Sequence, residues 1–260
     1  MIPKIIHYCW MSGEEFPPLI KECIESWKTI LPDYEVKEWN SQNFDVNMTV
    51  FTSEAMSKKK YAFVSDYVRL YALYHCGGIY LDSDIKILKS FNDLLETRAF
   101  TGFEDKKRLG VWLLASEAKN PLFKDLLDVY KDKHFIDDKG NMDLTPNPIV
   151  LGPIFEKYGI KMNNSLQKNE HITVYPTDYF CPLDYNTGKV NITSNSYAIH
   201  LFNGAWKSGE GKRYIEYYRK YYQKYERFLP NGVASIFAKL YVTCSLQGFS
   251  GIINKMYKYL

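Results

Sequence analysis

Apolar and polar positions switch between two periods along the first half of the chain. Residues 2–8 open with Pro3 and carry an Ile-Ile pair, which predicts a first strand. From Pro17-Pro18 to about residue 30, Leu19, Cys23, Ile24 and Trp27 recur near the spacing of one helix face. Residues 34–39, after the Pro32-Asp33 turn, predict a second strand. Strand, helix and strand at this spacing begin an α/β nucleotide-binding unit. The most informative stretch is 61–84, YAFVSDYVRLYALYHCGGIYLDSD. It predicts an amphipathic helix stopped by Gly77-Gly78, a three-residue apolar strand at 79–81, and then two carboxylates, Asp82 and Asp84, one residue apart.

The alternation continues beyond that point. Residues 100–103 and 111–115 predict strands and 121–131 a helix, and 137–141 (DDKGN) is an exposed turn. Thr145-Pro146-Asn147-Pro148 leads into an apolar helix at 149–158. Short strands are expected at 171–175 and 197–202. From 211 to 260 the pattern is helical, with a break at Pro230-Asn231-Gly232. There is no internal repeat and no low-complexity linker. The expected organisation is one α/β domain over 1–228, a Rossmann-like nucleotide-binding unit with a mixed sheet, and a helical appendage over 229–260.

Composition changes this picture only at the margins. The 260 residues are 46% hydrophobic and 24% charged, ordinary for a globular chain. A net charge of +3 is too mild to argue for nucleic acid. Five scattered cysteines without a CxxC pair fit reduced thiols better than a disulfide framework or a zinc site. No secretory leader opens the chain, and no run of about 18 apolar residues marks a spanning helix. A cytoplasmic protein is expected, peripheral at the inner face of a membrane. The lean towards a membrane comes from residues 212–227, where six Tyr alternate with Lys and Arg. A helical hairpin that merely closes the domain explains the same residues equally well.

Candidate chemistry centres on the two carboxylates. In a strand, positions i and i+2 face the same way. Two ionised carboxylates held close repel, and a divalent cation relieves that repulsion. On the helix before them, Ser65, Asp66 and Arg69 fall on one arc beside Ala62 and Ala72, while Val64, Val68 and Tyr71 cover the other face. An i, i+3 surface ion pair is the bland account of Asp66 and Arg69. An EF-hand reading fails because Lys86 stands where an oxygen ligand is needed. Strand-Asp-x-Asp also occurs in phosphatases of the haloacid-dehalogenase type, with Asp82 as nucleophile and Asp137-Asp138 as a second acidic motif. That reading stands as the alternative. A third is a non-catalytic lectin-like module using the Tyr-rich tail.

Taken together, Ser65-Asp66-x-x-Arg69 and Gly77-Gly78-Ile79-Tyr80-x-Asp82-x-Asp84 resemble the sugar-nucleotide site of family 32 glycosyltransferases. These include fungal initiating mannosyltransferases and bacterial capsule and exopolysaccharide enzymes, and the pattern is similar to the glucosyltransferase domain of the large clostridial toxins. Residues 2–10 (IPKIIHYCW) and 200–206 (HLFNGAW) resemble the same family, in the same order. The resemblance implies a GT-A fold and a retaining, metal-dependent transfer of a hexose from a nucleotide sugar to a glycan acceptor. UDP-galactose or UDP-glucose is the implied donor and GDP-mannose the other candidate, with a lipid-linked acceptor among those expected. It implies Mn²⁺ or Mg²⁺ held by Asp82, Asp84 and His200. It places Tyr8 and Trp10 at the base, Ser65, Asp66 and Arg69 at the donor sugar, and Tyr80 and Trp206 at the diphosphate. Asp66, Arg69, Asp82 and Asp84 are then the catalytic set, with Asp66 or Glu104 beside the acceptor. Ala205 departs from the family's usual Ser, which removes one side-chain bond to phosphate.

Overall fold

In the computed structural model, residues 1–203 and 209–256 are described, so Trp206, Ala205 and the last four residues lie outside the described part. The chain divides into two compact units: Met1–Pro182 with Asn191–Leu201, and Leu183–Val190 with the chain from Phe202 onward.

The first unit is built on a seven-stranded mixed sheet. Strand β1 (Ile5–Cys9) is followed by helix α1 (Pro18–Ile30) and strand β2 (Glu35–Trp39), as the opening pattern predicts. Helices α2 (Val50–Ser57) and α3 (Tyr61–Cys76) precede β3 (Gly78–Leu81) and a short β4 (Ile85–Ile87). Next come β5 (Ala99–Phe103), β6 (Leu109–Ser116), α4 (Pro121–Asp128) and α5 (Asn147–Lys157). Strands β7 (Gln167–Lys168) and β8 (Thr173–Tyr175), helix α6 (Thr177–Phe180) and β9 (Ala198–His200) complete the unit. The sheet order is β2-β1-β3-β6-β5-β8-β7, and β4 pairs with β9 in a separate two-stranded sheet. Strands β2, β1 and β3 are parallel, whereas β6 runs antiparallel to both β3 and β5. This is the mixed α/β architecture expected of a GT-A fold.

Every residue of β3, β5 and β6 is buried, which is why these strands read as continuous apolar runs and do not alternate. Helix α3 departs from the amphipathic expectation. Val64 and Val68 are buried on one face, and Ser65, Asp66 and Arg69 are buried on the other. A helix with charges on a buried face needs partners for them, and those partners define the candidate site.

The α3–β3 junction needs glycine at both positions. Gly77 and Gly78 have φ of +68° and +109°, outside the range comfortable for other residues. A Cβ on Gly78 would stand 2.6 Å from the Ile5 carbonyl oxygen on the parallel neighbour β1. Buried His7 clamps the same junction. Trp39 Nε1, which can only donate, gives its hydrogen to His7 Nδ1 at 3.1 Å, so Nε2 carries the ring proton and donates to Gly77 O at 2.8 Å.

The second unit carries two long helices, α7 (Gly209–Tyr225) and α8 (Asn231–Met256). Their interface is made by Tyr218 and Tyr222 against Ala234, Ala238 and Val242. Arg219 Nε and Nη2 donate to Tyr185 O within the same unit. No described helix is long and apolar enough to cross a membrane.

Candidate active site

Strand β3 ends at Leu81, so Asp82 and Asp84 do not lie in an extended strand, contrary to the simple i, i+2 argument. They occupy a tight turn. Asp82 N donates to Trp112 O at 2.8 Å, tying the turn to β6, and Ile85 N donates to Asp82 O at 3.1 Å, closing it into β4. The two carboxylates converge all the same. Strand β4 then pairs antiparallel with β9, with Ile85 opposite His200. That register delivers an imidazole from the far end of the unit: His200 Nε2 lies 3.4 Å from Asp84 Oδ1. One ligand atom from each of Asp82, Asp84 and His200 lies within 4.8 Å of the others.

This donor set fits a hard divalent cation. Ligand atoms bound at about 2.1–2.4 Å to one ion are separated by at most roughly twice that bond length. Two carboxylate oxygens with one imidazole suit Mn²⁺ or Mg²⁺ better than the thiolate-rich set of a structural zinc. The electrostatics agree. Burial raises Asp82 above the usual carboxylate range, Arg69 opposes the shift, and neighbouring Asp84 adds to it. Burial would depress His200, but the adjoining Asp84 outweighs it and the imidazole is raised. A cation held by Asp82, Asp84 and His200 would supply positive charge at this point.

Beneath the turn, Arg69 is the hub of a buried polar chain. Its Nη2 lies 3.0 Å from Asp66 Oδ1 and 3.2 Å from Asp82 Oδ1. Its Nη1 donates to Val111 O, and its Nε and Nη2 donate to Ser65 O and Oγ. The guanidinium also rests 5.0 Å from the ring centre of Tyr80, which is itself wholly buried. Burial disfavours the Arg69 charge, but Asp82 and Asp66 more than compensate and hold it protonated. Asp66 is pushed up to about 7 by burial, against the pull of Arg69. Its Oδ1 also accepts from Asn147 Nδ2 at 2.9 Å, and Asn147 Oδ1 accepts from Tyr130 OH at 2.9 Å.

Asn147 and Tyr130 escaped the sequence reading, since neither lies in a recognisable spacing with Asp66. Trp112 escaped it too. Its ring centre is 4.7 Å from that of His200, and its Nε1 donates to Glu104 at 3.1 Å. Glu104, expected beside the acceptor, thus orients the ring that packs on the third ligand. Ser65 donates to Ala62 O at 2.6 Å.

Tyr8 and Trp10 lie at the carboxyl end of β1, on the same side of the sheet as the turn after β3. Tyr8 OH donates to Glu38 at 2.6 Å. Trp10 is half-buried, its Nε1 donating to Glu14 O at 2.7 Å and its ring edge-on to Phe16 at 4.9 Å. Ligands in open α/β sheets are held at this end of the strands. The second acidic pair of the phosphatase reading is elsewhere: Asp137 closes its own turn by accepting from Lys139 N and Asn141 N.

Such an arrangement gathers two acids and a histidine at the carboxyl edge of the parallel strands, where one cation could be held. Residues 17–101 match the family described as "Glycosyltransferase sugar-binding region containing DXD motif". It is 25% identical over 229 residues to inositol phosphoceramide mannosyltransferase 1 of Schizosaccharomyces pombe, a match covering 82% of this chain and 65% of that protein. The chain therefore spans less than two thirds of that relative's length. Among solved structures it is similar to the PaToxG glycosyltransferase, with TM-score 0.45, 18% identity, and coverage of 60% of this chain and 70% of that one. It is also similar to a glycosyltransferase involved in glycosylation of the major capsid of PBCV-1, with TM-score 0.40, 11% identity, and coverage of 82% and 98%.

Proposed function

We propose that this chain is a retaining, metal-dependent glycosyltransferase that moves a hexose from a nucleotide sugar to a glycan acceptor in surface-polysaccharide synthesis. The observation that carries the proposal is the convergence of Asp82, Asp84 and His200 within 4.8 Å, beside an Arg69–Asp66 pair, in a DXD sugar-binding region. Bound there, Mn²⁺ or Mg²⁺ would neutralise the charge that builds on the departing nucleoside diphosphate.

The protein's own residues do the rest. Asp84 presents its carboxylate from the turn that opens β4, and His200 its imidazole from β9, which is locked in register with β4. Asp82 is fixed from below by Arg69 and from behind by its backbone bond to Trp112. Tyr8 and Trp10 form the base end of the donor site. Ser65, Asp66 and Arg69 hold the sugar end, with Arg69 fixing both neighbouring carboxylates and Tyr80 supporting Arg69. Trp206 is assigned to the diphosphate by its motif position. No carboxylate nucleophile is assigned, because a retaining transfer with same-face attack needs none.

The donor is a UDP-hexose, UDP-glucose or UDP-galactose, tested against GDP-mannose because the named relative is a mannosyltransferase. The acceptor is lipid-linked, and the enzyme works in the cytoplasm, peripheral at the inner face of the membrane. UDP and Mn²⁺ together are expected to raise the melting temperature, and Asp84→Asn to abolish the gain. Hydrolysis of each nucleotide sugar without acceptor then ranks the donors. Hydrolysis of a generic phosphate ester with Mg²⁺, and indifference to UDP, would replace this reading with the phosphatase one.

A further inference from the structure

Helix α8 is packed with its small side facing in. Ala234, Ala238 and Val242, at i, i+4 and i+8, are wholly buried against the tyrosines of α7. Its large apolar residues point the other way. Val233, Ile236, Phe237, Leu240 and Tyr241 are exposed, Ile236 at 58% and Phe237 at 50%. At roughly 100° per residue they share an arc of about 140°, centred about 130° from the alanines and adjoining them at Tyr241. At the turn between the helices, Phe228 is 83% exposed. Burying Ala in place of Ile, Phe and Leu is the reverse of what a helix on a globular unit gains from. A contiguous face of this kind marks an interaction surface.

The charges around this face say what it meets. Residues 231–256 contain no Asp or Glu, and their cations are Lys239 and Lys255. Lys239 is exposed beside the stripe. On the other border, Tyr221 and Tyr225 of α7 pack on Tyr241 and Phe237 at 3.9 and 6.1 Å, continuing the stripe as aromatics. Exposed Lys220 and Lys224 flank those tyrosines and act on the Tyr241 phenol, and exposed Arg227 adjoins Phe228. Glu226 is engaged by Lys189 within the same unit.

An apolar ridge with an aromatic shoulder and cations on both borders is complementary to a lipid interface bearing negative headgroups. A second copy of the chain would bring those same cations together on each border. We infer that the face of α7 and α8 lined by Ile236, Phe237, Leu240, Lys220 and Lys224 docks on an anionic bilayer surface without crossing it. This docking deepens the membrane placement in the proposed function and does not depend on sugar transfer.

The test is co-sedimentation of the full chain with phosphatidylcholine vesicles and with phosphatidylcholine–phosphatidylglycerol vesicles, at low and high salt. The wild type is expected to sediment with the anionic vesicles only, and less so at high salt. Lys220→Glu with Lys224→Glu should lower partitioning roughly tenfold or more. Ile236→Ser, Phe237→Ser and Leu240→Ser together should abolish it, with the UDP–Mn²⁺ shift in melting temperature unchanged because none of the three belongs to the candidate cation site. A wild type that stays in the supernatant with every vesicle overturns the inference. So does a concentration-dependent dimer that the triple substitution dissolves while vesicle binding persists. Loss of the nucleotide shift with vesicle binding intact would instead count against the transferase reading alone.

Discussion

His200 Nε2 stands 3.4 Å from Asp84 Oδ1 because β4 and β9 pair with Ile85 directly opposite His200. A slip of one residue would turn the imidazole to the other face of that small sheet. The short two-stranded sheet is therefore part of the candidate cation site as much as the turn is. Backbone bonds reinforce it: Leu201 N donates to Asp84 O at 3.1 Å, and Trp27 Nε1 donates to Ile85 O at 2.7 Å.

Removing either end of this contact should show directly in metal binding. With UDP present, His200→Ala is expected to weaken Mn²⁺ binding by at least the 10- to 100-fold, roughly, that loss of an outer-shell partner causes. Asp84→Asn should abolish it. Asp105→Asn, on the exposed turn where Asp105 pairs with Arg108, should leave it unchanged. Free Mn²⁺ measured by electron paramagnetic resonance during titration gives the answer. Equal affinities for all three variants would dismiss the assigned ligands.

Arg69 lies between buried Asp66 and partly exposed Asp82, so its loss leaves a buried carboxylate without its cation. Arg69→Ala is expected to cost about 3–5 kcal/mol of stability, the range for breaking a buried ion pair from one side. Arg69→Lys keeps the charge but cannot reach Asp66, Asp82, Ser65 and Val111 together, and should fall between the two. Urea unfolding measures this. A loss below about 1 kcal/mol for Arg69→Ala would mean the chain of contacts does not hold the site.

His7 gives the fold an acid-sensitive contribution of its own, opposite in sign to that of Asp66. Burial lowers its pKa from 6.5 to about 4, so between those values the unfolded chain binds a proton that the folded one refuses. The sign follows: the stability from neutral His7 is complete above pH 6.5 and is lost as pH falls towards 4. From pH 7 to pH 5 the loss from His7 alone is about 2 kcal/mol, and Asp66, whose raised pKa makes the folded chain take up a proton in the same window, opposes it. Urea unfolding of the wild type and of His7→Gln at the two pH values isolates it: the variant should be less stable at pH 7, and the gap between the two should shrink at pH 5. An unchanged slope in the variant would clear His7 of the effect.

Gly78→Ala should be far more damaging than Gly13→Ala, although both glycines have positive φ. At Gly13 a new Cβ meets nothing within 4 Å, so the cost is that of the backbone conformation, about 1 kcal/mol. At Gly78 it would also strike the Ile5 carbonyl in the heart of the parallel strands. Soluble expression and melting temperature compare the two. Similar values would show that the β1–β3 contact yields easily.

Much of this molecule was legible along the chain. The 3.6-residue spacing of Cys23, Ile24 and Trp27, the Gly77-Gly78 stop and the apolar run before Asp82 are local signals, set by side chains within a turn or two of each other. They yielded β1, α1, β2, α3 and β3 nearly as found, and with them Asp66, Arg69, Asp82 and Asp84. Other elements had no such signal. Strand β4 is three residues long with Lys86 at its centre, and only its pairing with β9 makes it a strand. The burial of both faces of α3 likewise depends on what Asn147 and Val111 bring to it from later in the chain.

From residue order alone came the pair of acids and the α/β frame that carries them, because periodicity and turn chemistry act over a few residues. Only the folded chain decided that Asp82 and Asp84 converge through a turn, that Trp112 lies against His200, and that α8 turns its alanines inward. Those outcomes depend on strand register and on which groups must be paired once water is excluded, and both are properties of contacts between distant segments.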